Sequence, residues 1–145
     1  MQVQIITDHR KILSLLNQFD SVFVHMREKV RDYDLYAKKL AERALIYRVQ
    51  EKEETCGLVV MYANDTITSV AFVTLFGLLP EWQGKNLGKE MMDFCCTKAK
   101  ASGMKKIRLE VDLDNYRAIT FYTRNGFIPS GTCSAMSMYM EKTLV

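Results

Sequence analysis

Histidine is scarce in this chain: His9 and His25 are the only two. That argues against a histidine-rich metal site and leaves a histidine-activated nucleophile few bases to draw on. The four cysteines, Cys56, Cys95, Cys96 and Cys133, have neither metal-ligand nor disulfide-framework spacing. Cys95 and Cys96 are neighbours in a helical stretch and point to different faces, so reduced thiols and a cytoplasmic setting are expected. No uncharged apolar run approaches the ~20 residues of a membrane span. The opening residues MQVQIITDHRK meet a charge by Asp8, so no secretory leader is expected. Dense basic runs are missing and the net charge is only +3, which permits an anionic ligand without suggesting nucleic acid. With no repeat, linker or low-complexity segment, the 145 residues are expected to form a single domain over 1–145.

What is present is a periodic pattern that changes from helical to extended. Residues 3–6 read as a short strand, and Asp8 as the cap of a helix carrying Ile12, Leu15, Leu16 and Phe19. Residues 20–31 lack clean periodicity and read as a loop or broken helix. Asp32 or Asp34 opens a second helix supported by Leu35, Leu40, Ala41 and Ala44. Strands are expected at 45–51 and 57–62, and a long one from Thr66 to about 79, with polar turns at 52–54 and 64–65. A helix over 87–101 stopped by Gly103 follows. Next come an alternating strand at 105–113, with Ile107, Leu109, Val111 and Leu113 on one face, a short helix 116–124, and strands near 127–130 and 135–142.

The most distinctive stretch joins the long strand to the third helix: Gln83-Gly84-Lys85-Asn86-Leu87-Gly88-Lys89. A helix start has unpartnered N–H groups and partial positive charge, which suits an anion. Gly84 and Gly88 allow close backbone approach, Asn86 tolerates positive φ, and Lys85 and Lys89 add charge. The spacing is neither that of a Walker loop nor that of a dinucleotide fingerprint. A pyrophosphate cradle and an ordinary solvated turn both remain open on these residues alone.

Taken with a second segment, 115–127, which reads Asn-Tyr-Arg-Ala-Ile-Thr-Phe-Tyr-Thr-Arg-Asn-Gly-Phe, the chain resembles the GCN5-related N-acetyltransferases. The family's loop pattern is Gln or Arg, two residues, Gly, any residue, Gly or Ala; its later signature is Asn-x-x-Ala-x-x-x-Tyr-x-x-x-Gly-Phe. One departure stands out, Asn86 where the family usually has its first loop glycine. The resemblance implies an α/β (α+β by some schemes) acyl-CoA N-acyltransferase fold. Its mixed, mostly antiparallel sheet would have six to seven strands, helices on both faces and two splayed central strands, here 70–79 and 105–113.

By that resemblance the co-substrate is acetyl-CoA. Its pantetheine arm would pair along Phe76, Gly77 and Leu78, and its pyrophosphate would lie on Gln83 through Lys89. Asn115, Ala118 and Tyr122 would contribute further contacts. A backbone N–H near Leu78 would stabilise the oxyanion, and Tyr122 would protonate the leaving thiolate; a core aromatic is its plainer explanation. Glu110 lies in Leu109-Glu110-Val111, twelve residues before Tyr122, similar to bacterial ribosomal-protein alanine acetyltransferases in which that glutamate is the base. A partly buried glutamate satisfied by Arg108 or a tyrosine is the alternative. Asn115 is expected to cap a helix as well as touch the cofactor.

The acceptor walls would be 21–36, with Phe23, His25, Arg27, Arg31, Tyr33 and Tyr36, and 131–135. The expected activity is acetyl transfer by direct attack of a small-molecule primary amine: an amino sugar, polyamine or amino-acid derivative. A protein N-terminal acetyltransferase, a non-catalytic acyl-CoA sensor and an acetyltransferase acting on aminoacyl-tRNA are the competing readings. The expected partners are a small-molecule amine, with a homodimer allowed and neither membrane nor metal expected.

Overall fold

A computed structural model describes residues 1–145. Seven strands form one sheet in the order β1-β2-β3-β4-β5-β7-β6. The chain gathers into two compact units, 1–62 with 75–91 and 63–74 with 92–145.

The first unit begins with β1 (Gln2–Ile5) and α1 (His9–Gln18), whose cap is the Asp8 carboxylate accepting the Lys11 N–H at 3.2 Å. The unsettled stretch after α1 yields α2 (Val24–Lys29), six residues with no side-chain cap, so it is a broken helix. Asp32, rather than Asp34, opens α3 (Tyr33–Arg43) by accepting the Leu35 N–H at 3.1 Å. Leu35 was expected to support this helix from its apolar side, but it is 61% exposed; Ala37 and Leu40 are the buried positions. β2 (Leu45–Glu51) and β3 (Glu54–Tyr62) pair antiparallel through a two-residue turn in which Lys52 and Glu53 both have positive φ, the geometry that matches strand twist. Ile12, Leu15, Leu16, Phe19, Ala37, Leu40, Ile46, Leu58 and Val60 join in one core. The 3.6-residue period of α1 and the buried face of the strands meet there, which explains why so polar a segment folds.

The strand expected from Thr66 starts at Val70, as β4 (Val70–Leu78), because the Asp65 side chain accepts the N–H groups of Ile67 and Thr68 at 3.1 and 3.0 Å. That bonding makes a tight turn, with Ser69 at φ 57°, and leaves Ile67 95% exposed. α4 (Leu87–Ala101) ends before Gly103, whose φ is +87°. In β5 (Lys106–Asp112) Ile107, Leu109 and Val111 are buried as the alternation predicts. Leu113 does not share that face: it lies past the strand, 46% exposed, its N–H on the Met136 carbonyl. After α5 (Tyr116–Arg124) the chain ends in β6 (Ile128–Thr132) and β7 (Ser137–Thr143), both a residue or two later than expected. β7 pairs with β5 from Lys106↔Thr143 to Asp112↔Ser137.

Candidate active site

β4 and β5 are parallel, and their ladder runs from Val70↔Lys106 to Val73↔Leu109 and stops. β4 nevertheless continues to Leu78. The Leu79 N–H donates to the Cys56 carbonyl of β3 at 2.9 Å. Alternation along a strand then turns the backbone groups of Gly77 toward β3 and those of Phe76 and Leu78 toward the opposite edge. The Leu78 carbonyl there accepts the Gln83 side-chain amide at 3.0 Å. Gly77 thus faces the β3 side of the strand. A Cβ on Gly77 would stand 2.8 Å from Phe23 Cε1 and 2.9 Å from Val22 Cγ1, so the close approach is by side chains of the segment between α1 and α2.

After β4, Pro80–Trp82 make one 3₁₀ turn, and the Gln83 N–H bonds the Pro80 carbonyl at 3.2 Å. Gln83 thus shapes the turn with both its main chain and its side chain. Gly84 has φ +77° and Asn86 φ +66°, so Asn86 adopts the left-handed conformation expected of it. The exposed N–H groups of Gly84, Lys85 and Asn86 have no protein acceptor. Leu87, Gly88 and Lys89 form the first turn of α4, where N–H groups have no helical partner. Leu87 itself is 7% exposed and anchors the turn to the core. Consecutive unbonded amides at exposed residues, running into the start of a 15-residue helix and flanked by two lysines, fit a pyrophosphate.

The residues from the second signature lie in the other unit. The Asn115 side chain accepts the Ala118 N–H at 3.2 Å, capping α5 as expected. The Tyr122 ring packs against Phe121 and Phe127, with centroids at 5.5 and 5.7 Å. Burial pushes its phenol up to about 12, the Cys95 thiol adding to the rise, so Tyr122 stays protonated at any physiological pH. Glu110 is exposed and accepts a hydrogen bond from the Ser137 hydroxyl at 2.6 Å. Arg108 pairs instead with Glu141 at 3.4 Å and lies over the Tyr139 ring at 5.3 Å. Sequence reasoning missed Ser137, because its place beside Glu110 follows from the β5–β7 register, which is not written in the local pattern.

Of the two expected acceptor walls, 21–36 is tied to Asp20, the residue before it. Tyr33 donates to Asp20 at 2.5 Å, and burial with that bond raises its phenol to about 12. Arg27 reaches the other Asp20 oxygen at 3.8 Å, and His25 sits 3.5 Å from Glu28 on the surface of α2. In 131–135 the Cys133 and Ser134 N–H groups both bond the Ser137 carbonyl at 3.2 Å, closing the β6–β7 turn.

A mixed sheet whose parallel central pair stops pairing partway, followed by a turn of unbonded amides, defines an acyl-CoA N-acyltransferase fold. The sequence profile of the Acetyltransferase (GNAT) family matches residues 10–127, and the chain belongs to that family. A mycothiol acetyltransferase from Geodermatophilus obscurus is 34% identical over 59 residues, 41% of this chain and 19% of that protein, so the match spans about a fifth of the relative's length. Among solved structures, a spermidine N-acetyltransferase from Vibrio cholerae superposes with a TM-score of 0.78 at 14% identity, covering 99% of this chain and 95% of that one. An N-acetyltransferase from Thermoplasma acidophilum, in complex with coenzyme A, gives 0.71 at 18% identity with 99% of each chain covered.

Proposed function

We propose that this protein is an acetyl-CoA-dependent N-acetyltransferase that acetylates a primary amine of a small molecule, an amino sugar, polyamine or amino-acid derivative, by direct attack. In this reading the two compact units work as a single catalytic domain. The observation that carries it is the β4–β5 ladder ending at Val73↔Leu109 while β4 continues to Leu78, ahead of the unbonded amides of the turn at 84–86.

Acetyl-CoA supplies an activated thioester. The edge of β4 at Phe76 takes the pantetheine arm as an added strand, beside the Leu78 carbonyl held by the Gln83 side chain, and the amides from Gly84 to Lys89 take the pyrophosphate. The Leu79 N–H is engaged with Cys56, so the oxyanion donor on this strand is the Leu78 N–H. Glu110 accepts a proton from the acceptor ammonium, and the freed lone pair forms the N–C bond as the C–S bond breaks. Tyr122 gives its proton to the departing thiolate, and the second proton of the newly acylated nitrogen returns to the Tyr122 phenolate, leaving a neutral amide and a free thiol. Asn115 and Ala118 hold the start of α5, which carries Tyr122.

Thermal shift with CoA and acetyl-CoA tests binding, since a ligand that binds only the native state raises the melting temperature with its concentration. An amine panel followed by free-thiol release then tests transfer. Binding without turnover of any amine would leave a sensor. Turnover of peptides with a free N-terminus but of no small amine would move the substrate class to protein N-termini.

A further inference from the structure

We propose that Ser134 and Ser137 form a directed hydrogen-bond relay that fixes the Glu110 carboxylate for removing the proton of the acceptor amine, making both serines positioning residues. This rests on the acetyltransferase reading above. The register of β5 and β7 sets Glu110 opposite Tyr139 and Asp112 opposite Ser137, so all four side chains share one face of the sheet. Glu110 and Ser137 are diagonal neighbours there, and the hydroxyl reaches Oε2 at 2.6 Å. Ser137 is 2% exposed, the one polar side chain among the fully buried residues. A buried hydroxyl that lost this partner would carry a desolvation cost, which locks its orientation.

Proton counting gives the relay its direction. An ionised carboxylate only accepts, so the single Ser137 proton is used on Glu110. The contact between Ser134 Oγ and Ser137 Oγ, 3.0 Å long, must then have Ser134 as donor. Ser134 Oγ in turn accepts the Met136 N–H at 3.2 Å. Every proton from the turn backbone onward points toward the carboxylate. The turn is held from the other side by the two N–H groups on the Ser137 carbonyl, so the relay has a fixed origin. A base held in one orientation by a buried anchor, while its carboxylate meets solvent, is placed to take a proton from a bound amine without first losing rotational freedom.

The test is a pH titration of the Glu110 carboxyl by NMR, in protein labelled with 13C at glutamate side chains, the Glu110→Gln variant assigning the resonance. Removing a donor to the charged form favours the neutral one, so Ser137→Ala should move the Glu110 midpoint up by about half to one pH unit. Ser134→Ala, at an exposed position that folding tolerates, should move it the same way by less. Ser102→Ala, in the turn just past the C-terminal end of α4, should leave it in place. Acetyl transfer to spermidine and to glucosamine, followed by thiol release, should show the acidic limb of kcat/KM moving with the midpoint in each variant. Unchanged midpoints in both relay variants would overturn the relay. Midpoints that move while the kinetic limb stays fixed would overturn its catalytic role. If neither amine is turned over, the polyamine and amino-sugar readings fail while the titration still decides the relay.

Discussion

Tyr122 and Asn86 carry the sharpest expectations at the scale of single residues. With its phenol held at about 12, Tyr122 enters the reaction protonated, so its ionisation should cause no alkaline loss of activity below about pH 11. Tyr122→Phe should lower kcat on the order of 10²-fold under conditions where chemistry limits the rate, with the melting temperature little changed; an unaltered single-turnover rate would remove Tyr122 as the acid. Asn86 holds φ +66°, a conformation that costs a residue with a Cβ roughly 1–2 kcal/mol and asparagine less. Asn86→Val should therefore destabilise the protein by about 1 kcal/mol and weaken CoA binding, while Asn86→Gly should preserve or strengthen it. Calorimetric titration with CoA separates the two. The residue type at 86 announced its conformation because so few side chains tolerate it, whereas a glycine inside a strand, as at 77, says only that a neighbour can come close. That the neighbour is Phe23 depends on a contact between residues far apart in the chain.

Among the elements, α5 and β4 show how a local role and a functional one can be told apart. Asn115→Ala removes the cap of α5 and should cost about 1 kcal/mol, read by chemical denaturation. Asn115→Ser keeps a cap, so a raised KM for acetyl-CoA in that variant would mark a cofactor contact, and an unchanged KM would reduce Asn115 to a cap. On β4, Gly77→Ala drives a methyl into Phe23 and Val22 and should destabilise by about 1–3 kcal/mol, with Phe23→Leu in the same chain recovering part of the loss. Helices α1, α4 and α5 were legible because periodicity and caps lie within a few residues of one another. The start of β4 was not, since apolar Ile67 looks like strand until the Asp65 carboxylate claims the amides that a ladder would need. Leu35 and Leu113 misled in different ways: Leu35 is exposed on α3, whose buried positions are Ala37 and Leu40, and Leu113 lies one residue past the end of β5.

The whole molecule has a pH response set by groups that prefer to stay neutral. Cys95, Tyr122 and Tyr33 are each pushed up to about 12, mainly by burial. Their folded-state values lie above the unfolded ones, about 8.5 for a thiol and 10 for a phenol. The stability they contribute is therefore complete below those unfolded values and is lost as pH rises toward about 12. The melting temperature should fall progressively above about pH 9, and Cys95→Ala should remove the earliest part of that fall. By itself the sequence determined the order of helices and strands, the caps, and the turn of glycines and asparagine, because each depends on hydrogen bonds and dihedral preferences within a handful of residues. It also determined the family, through two motifs in the right order. Only the tertiary structure decided where the ladder between β4 and β5 ends, which edge of β4 presents Phe76 and Leu78, and that a buried serine lies beside Glu110. Those facts are set by register between strands distant in the chain, where one residue of slip turns every side chain to the other face.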